Sequence, residues 1–177
     1  MRSGIRRWSL IAFSLVLACG SASYAALTEK YVLDGINDTV AVLRYYHRRA
    51  TDAQYNLDLC RASKALTAKQ FAAENALLDE AKRKGMAEAI ALFQKRVHRL
   101  GNQLHRLSEF DFEKTYSDRI GDSKKHITTL EAELAAHVAE YETVFGKKAH
   151  PQTSFEEEMA KYRPHRENMA YYLDLDN

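Results

Sequence analysis

The stretch MAEAIALFQKRVHRLGNQLHRL, residues 86–107, decides the fold class. Its apolar positions Met86, Ile90, Phe93, Val97, Leu100, Leu104 and Leu107 recur at spacings of 4, 3, 4, 3, 4 and 3. A 3.6-residue period gathers such positions on one side of an α-helix, and strict alternation of 4 and 3 is the seam of a coiled coil. A half-buried strand would show apolar residues at every second position instead. A stripe limited to a and d positions is narrower than the apolar face of most globular helices. It is the width by which one helix meets one or two others, from this chain or from another. These seven residues are therefore the candidate interaction seam. Gly101 lies off the seam and costs about 1 kcal/mol relative to Ala, so a bend is expected there.

The same rhythm extends in both directions. Upstream, Leu33, Ile36, Val40 and Leu43 start a helix near Thr28, and Tyr46, Ala50, Ala53, Leu57 and Cys60 continue it. Thr51-Asp52 either caps a new helix or is run through. Leu66-Thr67-Ala68-Lys69-Gln70 reads as a helix start, with Thr67 capping and Gln70 reaching back as in a capping box. The helix that follows carries Phe71 and Leu78 and weakens at Lys84-Gly85. Downstream, residues 109–122 read as a connection. Ser123 is placed to cap a third long helix, with Ile127, Leu130, Leu134, Val138, Tyr141 and Phe145 as its buried stripe. Gly146 ends it, as a Gly just past a helix commonly does. His150-Pro151 breaks the chain. Thr153 or Ser154 begins a shorter helix with Phe155, Met159 and Tyr162, Pro164 interrupts it, and a last piece holds Met169, Tyr172 and Leu173.

Composition agrees with this reading. Seven Gly and two Pro among 177 residues make about 5%, against an ordinary share of about 12%. That scarcity of turn formers argues against a β-sandwich, a barrel or a Gly-rich phosphate-binding fold. With 46% hydrophobic and 28% charged residues the chain is globular. The predicted fold is all-α: an elongated antiparallel bundle or helical hairpin of three long helices plus a short C-terminal one, in a single domain over 26–177.

Residues 1–25 read as an export signal. Arg2, Arg6 and Arg7 form a basic start, WSLIAFSLVLA (Trp8–Ala18) is the apolar core, and small residues follow. Eleven apolar residues are too few to cross a bilayer, which takes roughly 17–25, and no later segment is apolar enough to span. Ser23-Tyr24-Ala25 before Ala26 has the form of an ordinary cleavage site. Val16-Leu17-Ala18-Cys19 resembles a bacterial lipobox, which would make Cys19 a lipidated N-terminus. Arg6-Arg7 is also a pair of the kind found in twin-arginine export signals, although the residues around it fit that pattern poorly. Removing residues 1–25 leaves 23 basic against 24 acidic residues. A nucleic-acid partner, which calls for a strongly basic surface, loses its support. Cys60 is then the one remaining Cys, so no internal disulfide forms. The expected location is the periplasm or cell envelope of a bacterium, or secretion.

No set of residues carries a chemistry. His98 and His105 are seven apart, about 10.5 Å along a helix, too far to share one metal. Asp122 with His126 and Glu133 with His137 have four-residue spacing, but each is a lone pair. Covalent haem needs a Cys-x-x-Cys-His run that is absent, and no nucleophile, base and orienting group stand together. The expected site inventory therefore has no catalytic, cofactor-binding or metal residue.

Two surface features remain. Tyr45-Tyr46-His47-Arg48-Arg49 mixes aromatic and basic residues, and Tyr45, Tyr46, Arg48 and Arg49 form a candidate docking patch, since Tyr and Arg are favoured at binding hot spots. Charge is also uneven. Residues 82–106 hold seven Lys or Arg against Glu88 alone, and residues 109–177 hold nine basic against fifteen acidic residues. Either the basic helix packs beside acidic segments of its own chain, or it presents a face to an anionic partner.

Leu66-Thr67-Ala68-Lys69-Gln70 also resembles the Leu-Thr-x-x-Gln box of the Spy-type periplasmic stress chaperones, small exported helical proteins that carry the box twice. Leu27-Thr28-Glu29-Lys30-Tyr31 stands where the other copy would be, with Tyr31 in place of Gln. The resemblance covers five residues, and a capping box accounts for the same five. It implies a chaperone-like holder of client proteins.

The sequence thus points to an exported helical protein that acts by protein–protein interaction, as an adaptor, assembly subunit or chaperone-like factor. Its partner is another protein or further copies of itself, it takes no cofactor, and it is not an enzyme. The alternative is a helical bundle that binds a ligand or metal in its interior. Processing is the first test: intact mass of the exported protein should place its N-terminus at or next to Ala26. A diacylglyceryl adduct on Cys19 would instead make it a lipoprotein.

Overall fold

The structure, a computed structural model, describes residues 22–149 and 155–167. About 89% of these residues are helical and none lies in a strand. The order is α1 (Ala22–Arg83), α2 (Ala87–Glu109), α3 (Phe112–Phe145) and α4 (Phe155–Lys161). The expected all-α fold of three long helices and a short C-terminal one is found. The expectations for Cys19, His150-Pro151, Thr153, Ser154, Met169, Tyr172 and Leu173 lie outside the described residues. No helix among those described is long and apolar enough to cross a membrane.

Three boundaries differ from the sequence expectation. Thr51-Asp52 does not cap, and α1 runs through. The Thr51 hydroxyl donates back to the carbonyl of His47 (2.9 Å) and the Asn56 amide to that of Asp52 (2.8 Å). A polar side chain that bonds one turn back is satisfied inside a helix and stops acting as a start signal. Leu66–Gln70 is not a helix start either: Thr67 is buried within α1, where the preceding turns already hold the amides that a cap would serve. Finally, 109–122 is not a connection. The chain leaves helix only at Phe110-Asp111, and Asp111 opens α3, its carboxylate accepting from the amide of Lys114 (3.1 Å), the N-cap arrangement. Ser123, expected as a cap, lies buried in mid-helix.

Two glycines stop helices as their sequence positions suggest. Gly85 takes φ 67° after α1, with its amide bonded to the carbonyl of Lys82 and that of Met86 to Ala81. This is the Schellman closure, and it turns the chain from α1 into α2 within three residues. Gly146 takes φ 62° after α3 and bonds back to Glu142. Gly101, where a bend was expected, sits inside α2 near the ring of Phe71, which a Cβ there would approach to 3.4 Å.

Contacts gather in two compact units, which among the described residues are 22–41 with 132–149, and 42–131 with 155–167. In the first, Ile36 and Tyr141 are buried with Ala149, and Val32, Leu33, Leu134, Val138 and Phe145 pack around them. The Tyr141 hydroxyl and the Lys147 ammonium both donate to Glu29 (2.7 and 3.0 Å), holding its carboxyl below the usual range. In the second, Ala53, Leu57 and Cys60 of α1 meet Leu107 of α2 and Phe112 and Tyr116 of α3.

Leu107 is buried at the base of α2, whereas Met86, the first residue of the seam, is 52% exposed. Leu107→Ala should destabilise the protein by about 2–5 kcal/mol, and Met86→Ala by under about 0.5 kcal/mol. Urea midpoints of the two variants check this, and equal losses would contradict the placement of Leu107 in the core.

Candidate docking groove between α1 and α2

The seam is not uniform along α2. Leu100 and Leu107 are buried, Ile90, Phe93, Val97 and Leu104 are half-buried, and Met86 is exposed. Its buried part faces α1 of the same chain. The proximity of Phe71 to Gly101 and of Glu74 to Arg96 (3.4 Å) defines an antiparallel hairpin.

Beside this seam the hairpin leaves an open groove of about 490 Å³, lined by Gln70 and Glu74 of α1 and by Leu92, Lys95, Arg96, Arg99 and Leu100 of α2. On α1 the stripe continues beyond the lining residues. Leu66, Gln70, Ala73 and Leu77 follow at spacings of 4, 3 and 4, which places them on one side of the helix, and both leucines are exposed. On α2, Leu92 is 49% exposed. The groove therefore has a polar α1 wall, Gln70 and Glu74, and an α2 wall that carries Leu92, Leu100 and the cations, with Leu66 and Leu77 exposed on α1 beyond it.

Its electrostatics are one-sided. Arg96 is held by Glu74, while Lys95 and Arg99 are exposed and have no ion-pair partner among the described residues. Glu74 gives one oxygen to Arg96; the other, Oε2, is shielded from solvent and has no hydrogen-bond donor among the described residues. Two acidic residues of α3 pair elsewhere: Glu113 with Arg61 (2.6 Å) and Asp122 with Arg49 (3.7 Å).

The Tyr45–Arg49 patch is largely engaged within the chain. The Tyr46 ring stacks on His126 at 4.4 Å between centroids, Arg49 reaches Asp122, and Arg48 pairs with Glu158 of α4. Tyr45 stays exposed, edge-on to Tyr46. Around this patch α4 and the six residues after it are clasped to α1. Arg44 also binds Glu158 (2.8 Å), and the guanidinium of Arg48 lies over the ring of Tyr162. Asp52 accepts from the Tyr162 hydroxyl (2.9 Å) and the His165 amide (2.6 Å). The fully buried Asn56 donates to the His165 carbonyl (3.0 Å) and accepts from the Glu167 amide (3.1 Å). Glu167 in turn binds the Tyr116 hydroxyl (3.0 Å) and Arg119. Burial and this carboxylate push the Tyr116 hydroxyl pKa up, and burial together with Glu113 and Glu167 pushes the Cys60 thiol to about 11.

This clasp and the α1 wall of the groove were both missed in the sequence. The 4-3-4 spacing of Leu66, Gln70, Ala73 and Leu77 was a usable signal, hidden because the first two were taken as a capping box. The clasp left none, since its partners stand from 48 to more than 110 residues apart. The histidine pairs do not build a metal centre. His126 lies 3.7 Å from Asp122, Glu133 and His137 are both exposed, and no group of three or more His, Cys, Asp or Glu is placed to hold an ion among the described residues.

Removing the Asn56 amide leaves the part-buried backbone groups of His165 and Glu167 without this partner, which costs up to roughly 1–3 kcal/mol for each partner left unmet. Asn56→Ala should lower the unfolding midpoint and speed hydrogen exchange at the Glu167 amide. It should also raise the rate at which Cys60 reacts with a thiol reagent at pH 8. An unchanged labelling rate would show that the clasp does not cover Cys60.

No known protein family matches this chain, and neither the curated proteins nor the solved structures contain a match to it, so what the groove and clasp do is read from their own residues.

Proposed function

We propose that this is an exported accessory protein of a bacterial cell envelope that works by binding another protein through the open side of the α1–α2 hairpin. One observation carries the reading: Leu92 stands exposed in a groove that reaches the buried Leu100, and Leu66 and Leu77 stand exposed on α1 on either side of its lining residues Gln70 and Glu74. An exposed leucine taken singly needs no explanation, but several gathered in and beside one groove mark an interaction site. Two helices alone cannot cover each other's apolar faces, and a third helix laid in the groove completes the burial. The N-terminal signal pattern supports export, and the absence of a catalytic set in the sequence supports an adaptor, assembly or holding role over an enzymatic one.

A photo-reactive amino acid in place of Leu92 tests this in cells. It should crosslink to a defined protein in the envelope fraction, while the same group in place of the exposed Lys125 of α3 should not. Equal labelling at both positions, or none at position 92, would refute the docking role.

A further inference from the structure

We infer that the groove between α1 and α2 receives an acidic amphipathic helix of a partner protein. The inference rests on the docking role proposed above and specifies the partner's chemistry.

Shape selects a helix. The register fixed by Phe71 beside Gly101 and Glu74 beside Arg96 puts Leu77 opposite residues 93–95, within one turn of Leu92. Leu66 lies eleven residues before Leu77, about 16 Å along α1 at 1.5 Å per residue. With Leu92 and the flanking Leu66 and Leu77, exposed apolar residues in and beside the groove span about three turns, the length at which a helix presents anchors at i, i+4, i+7 and i+11. The groove is concave and lies between two rods, which suits a third rod better than a flat bilayer surface. It has no aromatic lining residue on which a nucleic-acid base would stack.

Charge selects an acidic one. Lys95 and Arg99 lie four apart on the same wall as Leu92, both exposed and both without an ion-pair partner among the described residues. Arg96 beside them is already neutralised by Glu74. The wall therefore offers two unmatched positive charges, set in the segment 82–106 that carries seven Lys or Arg against one Glu. Two carboxylates one turn apart on an incoming helix match them, and complementary charge fixes register and speeds encounter.

The probe is an 18-residue fluorescein-labelled peptide with Leu at successive a and d positions and Glu at the flanking e and g positions. The control has Lys for each Glu. Anisotropy with the full mature protein should show saturable binding of the Glu peptide, weakened by added salt, and none of the Lys peptide. Lys95→Glu with Arg99→Glu should weaken the Glu peptide at least tenfold and admit the Lys peptide. Leu92→Ser should weaken the Glu peptide similarly. All three positions are exposed, so the variants should keep the parent's helicity and melting temperature. Binding unaffected by the charge reversal, or no binding of the Glu peptide, overturns the inference. So does light scattering that shows self-association lost in Leu92→Ser, or adsorption to phosphatidylglycerol vesicles lost in the charge-reversed variant. If the adduct at position 92 forms equally in the parent and the charge-reversed background, the docking role stands and the acidic partner falls. If no adduct forms at all, the docking role itself falls.

Discussion

The constraint from which the rest follows is the unbroken hydrogen-bond ladder of α1 from Ala22 to Arg83. Neither Pro nor an effective cap interrupts it. The side chains that would start a new helix bond one turn back instead, as Thr51 does to His47 and Asn56 to Asp52. One rod therefore presents its side chains in fixed register, and each later element answers a particular stretch of it. Within the larger unit, α2 lies on the stretch around Leu78 and Ala81, Phe112 and Tyr116 pack on Ala53–Cys60, and α4 with the residues after it closes over Arg44–Asn56. A break at Leu66–Gln70 would have freed the hairpin to swing. Its absence keeps the α1 side of the hairpin one continuous helix, which suits the proposed docking role, because less ordering would remain to be done on binding.

Two different kinds of association are built on α1. The clasp around Asp52 and Asn56 is polar and directional: each buried donor and acceptor has a named partner, and leaving one unmet is expensive. It tolerates one arrangement of the segment at 155–167. The hairpin side is apolar and cationic, with leucines that face outward and charges without mates. Such a surface fixes no single partner by geometry alone, since apolar contact is non-directional. On the proposed reading, selectivity there falls to Lys95 and Arg99. The chain thus uses hydrogen bonds to close itself and keeps apolar area for what it meets.

How much of this could be read in the sequence depends on the range of each signal. The helices were legible because their periodicity is local, and so were the stops at Gly85 and Gly146, where a positive φ favours glycine. The continuity of α1 and the α2–α3 boundary were blurred because Thr67 and Ser123 have cap chemistry in isolation and lose it inside a continuing helix, while Asp111, the real cap, stands between two aromatic residues in a stretch that reads as a loop. The seam was visible as a stripe, but which part of it α1 covers was not, since Met86 and Leu107 look alike in sequence and differ wholly in burial. Of the Tyr45–Arg49 patch, the composition was evident. Its use was not, because His126, Asp122 and Glu158 lie far along the chain.

The clasp has one more consequence, for the order in which the chain assembles. Glu74 and Arg96 are 22 residues apart, and the turn at Gly85 brings them together with little loop to close. Asp52 and Asn56 must wait for residues 109 to 113 positions further on. Closing so wide a loop costs entropy that only the finished contacts return, so contacts of this span form late. The outward-facing hairpin is therefore complete while Asn56 is still open to water. During synthesis the hairpin surface proposed for docking would thus exist before the protein has sealed its own middle, and a partner bound early would find α4 still undocked.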